Sequence, residues 1–227
     1  MNITFLGHAS LLIETNGKRI IVDPFITANP LAAEKISLQN LKVDYFLITH
    51  AHQDHVLDVS AIHELNPDAI IISNFEIVTY FANYGINGHG MNHGGSWFFD
   101  FGKITMVNAW HSSSFADGTY GGNPAGYVLE SEEKSIYIAG DTGLTMDMKI
   151  IPLFTKLDLA ILPIGDNFTM GIDSAVVASD YVDCQNVMGY HFDTFELIKI
   201  DHEKAKKTFK KAGKDFILPE IGKKITL

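Results

Sequence analysis

The spacing of apolar and polar positions divides the chain into short strands and helices. Residues 2–6 (NITFL), 10–15 (SLLIET) and 19–23 (RIIVD) are apolar-rich runs of strand length. Asn16-Gly17, between the second and third runs, tolerates positive φ at both positions and predicts a hairpin. Pro24 stops the third strand, and 24–41, with two prolines, reads as a long connection laid over something as a flap. Apolar runs at 43–49 and 69–73 predict buried strands. The pattern at 57–65 predicts a helix ended by Asn66-Pro67, and that at 75–84 a helix stopped by Gly85. Residues 97–101 and 103–110 pair around Gly102 as a hairpin. The small, polar, glycine-rich stretch 112–124 (SSSFADGTYGGNP) reads as a mobile loop. Strands at 126–130 and 135–139 follow, then a helix near 146–154, a strand at 157–164, a helix at 174–182, a strand at 186–190, a helix at 201–212 and a short closing strand.

The pattern repeats in outline. TFLGHAS (4–10) parallels TMVNAWHSS (105–113), each a strand ending in His and then Ser. SLLIETNGKRIIVD (10–23) parallels GYVLESEEKSIYIAGD (126–141), each a hairpin whose second strand ends in Asp. VDYFLITHAH (43–52) parallels LDLAILPIGD (157–166), an apolar strand leading to a loop. The three matches keep the same order. They imply one domain over 1–227 made of two halves, about 1–100 and 101–227, with two mixed sheets facing each other and helices outside.

Composition narrows the class. The chain of 227 residues is 46% hydrophobic and 19% charged, as folded domains are. No run approaches the ~18 apolar residues of a membrane-spanning helix, and MNITFLGHAS has no basic leader, so it reads as a first strand rather than a signal peptide. Cys184 is the one cysteine, which excludes a disulfide framework and suggests the cytoplasm. A net charge of −10 disfavours nucleic acid and anionic membrane as partners and leaves a small-molecule substrate.

Residues 49–55, THAHQDH, place three histidines and an aspartate at the end of a buried strand. His50 and His52 are two apart, so in an extended segment their rings point the same way and can grip one cation. Asp54 and His55 follow where the chain turns toward a helix, which lets them face a second cation, and a helix N-terminus favours the carboxylate. Imidazole and carboxylate without sulfur suit zinc, with manganese and iron as alternatives. The competing reading is a solvated polar loop. His111, Asp141 and His191 each end a predicted strand. Singly, each is explained by a hydrogen-bonding or turn role; jointly they stand where open α/β sheets gather active-site groups. His63 and His202 fall in helical patterns and read as surface residues.

HAHQDH followed by separate His, Asp and His positions resembles the metallo-β-lactamase superfamily, and Asp23, ending the VDP strand, resembles its first motif. GHAS, IVDPF, THAHQDH, GDT, LPIGDNFTMG and HFDTF, spread over nearly the whole chain, resemble a branch of metal-dependent hydrolases similar to ascorbate-6-phosphate lactonases and N-acylphosphatidylethanolamine phospholipase D. The resemblance implies a four-layer αββα sandwich. It implies two divalent ions, most simply zinc, with His50, His52 and His111 on the first, Asp54, His55 and His191 on the second, Asp141 bridging, and Asp23 orienting a ligand histidine by hydrogen bond. It also implies a homo-oligomer, for which Trp97-Phe98-Phe99 could supply an interface or simply a core strand. His93 stands where that branch leads one to expect an apolar residue, and reads as a surface substitution or a loop group near the pocket.

The expected activity is hydrolysis. Two cations about 3.5–4 Å apart would share a water, lower its pKa from about 15.7 toward about 7, and present hydroxide to a carbonyl or phosphoryl centre. Asp54 could also move a proton. His8 takes, by the repeat, the place that His111 fills in the other half, so it is expected beside the metals, binding substrate or donating a proton; the alternative is a buried histidine closing the turn after Gly7. Asn167 and Thr169 could donate to a substrate oxygen, with Gly171 permitting close approach, or could serve the turn and a helix cap. The substrate could be a lactone, ester, amide or phosphodiester. A di-iron redox protein is an alternative, but relatives of that kind replace a loop histidine with a carboxylate and append a flavin domain, whereas position 52 is His and 227 residues leave no room. A nuclease would want a basic exosite or an inserted domain. A non-enzymatic metal-binding protein on the same fold is the remaining alternative.

Overall fold

The computed structural model describes residues 1–132 and 134–227. Among the described residues, fourteen strands form two seven-stranded sheets. The first half supplies β1 (Asn2–Gly7), β2 (Ser10–Thr15), β3 (Lys18–Val22), β4 (Tyr45–Leu47), β5 (Ile70–Asn74) and β6 (Gly88–Met91). The second sheet holds β7 (Ser96–Phe99), β8 (Gly102–Asn108), β9 (Ala125–Glu130), β10 (Ser135–Ile138), β11 (Leu159–Pro163), β12 (Asn186–Tyr190) and β13 (Asp215–Ile217). The last strand, β14 (Lys224–Thr226), returns to pair with β1. The helices are α1 (Gln53–Val56), α2 (Val59–Leu65), α3 (Phe75–Ala82), α4 (Ile172–Tyr181) and α5 (His202–Lys211). No helix of the described residues is long and apolar enough to cross a membrane.

Strand periodicity creates the layers. In β3, Ile20 and Val22 enter the cluster that also holds Ile104, Tyr127 and Leu129 of the other sheet, while Ile21 enters a second cluster. The same split separates Leu47 from Phe46 and Ile72 from Ile71. The second cluster includes Val59 and Ile62 of α2 and Ile77 and Phe81 of α3, so those helices cover the first sheet's other face. Successive residues of one strand thus serve opposite faces, as a period of two requires. Helices α4 and α5 pack against β11 and β13, which completes the αββα sandwich.

The two sheets share one topology. From β1 to β6 the neighbours run antiparallel, antiparallel, parallel, parallel, parallel. From β8 to β13 they run the same way. Residues 96–99 fall in the numbering expected for the first half, yet β7 is the edge of the second sheet, and β14 of the second half is the edge of the first. Each half therefore lends a terminal strand to the other. In β7, Trp97 and Phe98 are exposed rather than core.

Several elements differ from their sequence outline. The strand expected over 43–49 is only Tyr45–Leu47, because the chain leaves the sheet to form the histidine loop. The helix expected over 57–65 is α2, starting at Val59, and a separate short helix, α1, precedes it and contains Asp54 and His55. The helix expected near 146–154 is of the 3-10 kind, over Met146–Leu153, and contains Pro152. Strand β6, sequence GHGM, carries no apolar alternation and was not foreseen.

Candidate metal centre

Three strands deliver a polar side chain to the same rim by the same device. His8 follows β1, Asp23 follows β3 and His191 follows β12, each as the next residue after the strand. All three take left-handed backbone conformations, with φ of 56°, 41° and 54°. His and Asp enter this region more readily than most residues, and strain of this sort concentrates at functional sites. Asp141 is preceded by Gly140 at φ 67°, where a Cβ would lie 2.5 Å from the Ala125 carbonyl oxygen. The His191 amide donates to the His8 carbonyl at 2.7 Å, tying the two sheets together at this rim.

Asp141 sits at the middle of the histidines. Its Oδ2 is 2.9 Å from His191 Nε2, 3.4 Å from His55 Nε2, 3.6 Å from His111 Nε2 and 4.0 Å from His50 Nε2. Around it the donor atoms fall into two sets, His50, His52 and His111, and His8, Asp54, His55 and His191, each with its atoms within 4.8 Å of one another. A third grouping, Asp23 with His50 and His55, is of another kind, because both Asp23 oxygens are already engaged.

Asp23 orders one histidine in each set. Its Oδ1 accepts the Thr49 amide at 2.8 Å and its Oδ2 accepts the Thr49 hydroxyl at 2.6 Å. Oδ2 also lies 2.9 Å from His55 Nδ1, which fixes the proton there and leaves His55 Nε2 facing the centre. With its own proton given to Asp23, the Thr49 oxygen accepts from His50 Nδ1 at 3.0 Å, so His50 Nε2 also carries a lone pair. That lone pair lies 3.0 Å from His52 Nδ1, while His52 Nε2 approaches Ser112 Oγ at 3.3 Å. With the His52 proton on Nε2, two lone pairs confront each other, an arrangement that a cation between them stabilises.

The unpartnered atoms tell the same story. His55 Nε2, both ring nitrogens of His191 and Asp141 Oδ1 are buried without a hydrogen bond. His191 Nε2 approaches Asp141 closely but lacks the alignment of a hydrogen bond. Such atoms cost about 1–3 kcal/mol each when left unmet, and His55 Nε2 and His191 Nε2, both close to the Asp141 carboxylate, fit a divalent cation site. Charge agrees. Burial pushes the Asp141 carboxyl up, but the His191 and His55 charges outweigh it and hold the group well below its ordinary range. Burial likewise opposes protonation of His55, but Asp141 and Asp23 hold its pKa well above normal, so without a cation the ring keeps a proton that a metal would replace. Burial lowers His50, His52 and His111, which favours the neutral form that could bind a cation. Burial raises Asp23 against the pull of its three donors.

His8 is 1% exposed and does not line the cleft. Its Nε2 is 3.0 Å from Asp54 Oδ2 and its Nδ1 is 3.0 Å from Thr194 Oγ1. Burial and the neighbouring His191 lower its pKa to about 4, so the ring is neutral and its one proton belongs on Nε2, toward the carboxylate. Thr194 then donates to Nδ1. Both His8 nitrogens are thus engaged, and His8 meets a substrate only through Asp54. Burial raises the Asp54 carboxyl, but the His8 hydrogen bond and the His55 charge overcome it and keep Asp54 ionised.

The centre opens into a cleft of about 370 Å³ lined by His52, Asp54, His111, Ser112, Asp141, Phe168, His191 and Phe195. Asn167 and Thr169 do not line it; Phe168 between them does. The Asn167 backbone N–H donates to Asp166 Oδ1 at 2.9 Å and the Thr169 hydroxyl to the Met170 carbonyl at 3.3 Å, so the turn engages the Thr169 hydroxyl. Gly171 sits before α4 as its N-cap. His93 lies outside the cleft, its Nε2 2.8 Å from the Pro124 carbonyl oxygen. His202 is exposed and pairs with Asp193, whereas His63 is half-buried near Phe46 rather than on the open surface. The sequence reading missed Thr194, Phe168 and Phe195. The HFDTF stretch carried two of them, but a hydroxyl and a phenyl ring give no ligand signal of their own.

Comparison with known proteins agrees with this geometry. A model described as Beta-lactamase superfamily domain matches residues 2–191. UPF0173 metal-dependent hydrolases of Flavobacterium johnsoniae and Christiangramia forsetii are 63% and 56% identical to the chain, each over 100% of both sequences. The solved structure of Igni18, a metallo hydrolase from Ignicoccus hospitalis, matches with a TM-score of 0.89 at 34% identity, covering 99% of this chain and 97% of that one.

Proposed function

Because this chain belongs to the beta-lactamase superfamily, as one of its metal-dependent hydrolases, we propose that its cleft hydrolyses a small-molecule ester, lactone, amide or phosphodiester at a two-cation centre. His50, His52 and His111 would hold one cation and Asp54, His55 and His191 the other, with Asp141 between them. Nitrogen and oxygen donors without sulfur favour zinc, with manganese and iron as alternatives. When bound, such cations supply Lewis acidity and lower the pKa of water from about 15.7 toward about 7.

The chain's own groups do the rest. Asp23 and Thr49 hold His55 and His50 in the tautomers that leave Nε2 free. Asp54, kept ionised by His8, is placed to accept a proton from the attacking water and return it to the leaving group. Thr194 and His8 keep that carboxylate from rotating away. No thiol nucleophile enters, since Cys184 is 1% exposed and bonded to backbone carbonyls. The observation that carries the reading is a group of buried donor atoms without hydrogen-bond partners, His55 Nε2 from α1, His191 Nε2 after β12 and Asp141 Oδ1 after β10, on side chains that meet at the Asp141 carboxylate. The test is hydrolysis of 4-nitrophenyl acetate, a simple lactone and bis(4-nitrophenyl) phosphate before chelation, after it, and after zinc is restored. Loss and recovery of turnover supports the proposal; turnover that survives complete metal removal overturns it.

A further inference from the structure

Eight residues line the cleft, and six of them, His52, Asp54, His111, Asp141 and His191 with the adjoining Ser112, are donors of the centre or contact one. The remaining wall is Phe168 and Phe195. Among the described residues, no lysine or arginine lines it. From this we infer that the part of the substrate remote from the reacting bond is uncharged and apolar, an aryl or alkyl group rather than a phosphate or carboxylate. The inference rests on the hydrolase reading and extends it to substrate class.

The two rings are held in place, yet they face water. Phe168 stands at the tip of a tight loop in which Asp166 and Asn167 are left-handed, at φ 61° and 52°. The Asp166 amide donates to the Met170 carbonyl at 3.0 Å, and a bridge joins Gly165 to Gly171, so the loop is pinched at its base. The ring remains 51% exposed. Phe195 is 40% exposed and packs edge-on to His8, with centroids 5.4 Å apart, and beside Phe25 at 6.2 Å. A surface phenylalanine alone is ordinary. Two at the mouth of the same cleft, on loops that follow β11 and β12, offer apolar area that a substrate group would remove from water.

Charge argues the same way. A remote phosphate or carboxylate needs a cationic or multiply donating partner away from the metals. The basic residue next along the Phe195 loop, Lys199, is paired with Glu196 at 2.5 Å. The chain as a whole carries −10, which repels an anion at distance. In the hydrolysis, the water oxygen bonds to the carbonyl carbon, the acyl–oxygen bond breaks, and one water proton passes to the departing oxygen. Nothing in that step calls for charge on the acyl tail.

The test uses the metal-loaded full chain and one matched pair, 4-nitrophenyl phenylacetate and the 4-nitrophenyl half-ester of succinate. The phenylacetate should show kcat/KM at least tenfold higher, mostly through KM. Phe168→Ala and, separately, Phe195→Ala should shrink that ratio several-fold, and Phe168→Lys should move it toward the succinate. An equal or greater kcat/KM for the succinate, or a ratio untouched by all three variants, overturns the inference. A second readout needs no metal and no turnover. Saturation-transfer NMR on chelated protein should show transfer to the phenyl protons of phenylacetamide, weakened in Phe168→Ala, and none to succinamate. If neither ester, lactone nor phosphodiester is turned over but phenylacetamide binds in this way, the proposed chemistry falls while the apolar-cleft inference stands.

Discussion

Replacing Asp23 with asparagine is the most informative single change. Asparagine tolerates left-handed backbone, so the φ of 41° at this position adds no strain. Its carbonyl oxygen can still accept the Thr49 amide now bound by Oδ1 at 2.8 Å. Its amino group, however, replaces Oδ2, the acceptor for the Thr49 hydroxyl and His55 Nδ1. His55 must then present a bare Nδ1 and carry its proton on Nε2, the nitrogen that faces Asp141 at 3.4 Å. The Thr49 hydroxyl loses its acceptor as well, and with it the hold on His50 Nδ1. One ligand in each set is disturbed. Loss of such an orienting partner weakens metal affinity about 10- to 100-fold. The metal-free fold should lose only about 1–2 kcal/mol, since charge-assisted hydrogen bonds are exchanged for neutral ones without leaving a hole. For a chain of this size that lowers Tm by about 2–8 °C. Asp23→Ala, which strands three buried donors, should cost about 3–5 kcal/mol. Competition for zinc with a chromophoric chelator gives the affinities, and ¹⁵N-histidine NMR gives the tautomers. If Asp23→Asn keeps wild-type affinity and a proton on His55 Nδ1, the orienting role assigned to Asp23 is wrong.

Other changes probe other links. Thr194→Val removes the donor to His8 Nδ1 at 3.0 Å and should cut kcat about fivefold, the worth of roughly 1 kcal/mol, with metal content intact. Thr194→Ser should restore the rate; if serine behaves like valine, the effect is packing. Gly140→Ala places a Cβ 2.5 Å from the Ala125 carbonyl oxygen at a φ of 67°, so it should lose about 2 kcal/mol or more, together with metal affinity as Asp141 shifts. A normal melting curve with full metal content would contradict that reading. Burial pushes the Cys184 thiol up, so a thiol reagent should leave it unmodified in the folded protein and react only in denaturant; rapid labelling under native conditions would place it elsewhere.

Much of this molecule is legible in its sequence because the signals are local. Ile20, Ile21 and Val22 alternate between two clusters, as their period requires. The histidine loop declares itself because its candidate ligands are contiguous. His111, Asp141 and His191 could be found because strand ends converge in layered α/β folds. What escaped depended on distant partners. β6, sequence GHGM, is a strand only because β5 offers it a parallel edge. β7 and β14 cross to the opposite halves, which no local pattern records. Asn167 and Thr169 had the right chemistry for binding, but the turn engages the Thr169 hydroxyl, and Phe168 rather than either neighbour lines the cleft. His8 was sensed from the repeat, yet its dependence on Thr194, 186 residues away, is visible only in the folded chain.

The central claim is that two cations share the rim where the sheets meet. Counting metal per chain by inductively coupled plasma mass spectrometry, in the zinc-reconstituted protein and in its His111→Ala variant, tests it most directly. The account predicts two ions in the parent and one in the variant. A parent chain that holds no tightly bound ion, or a variant that keeps the parent's full complement, would contradict it.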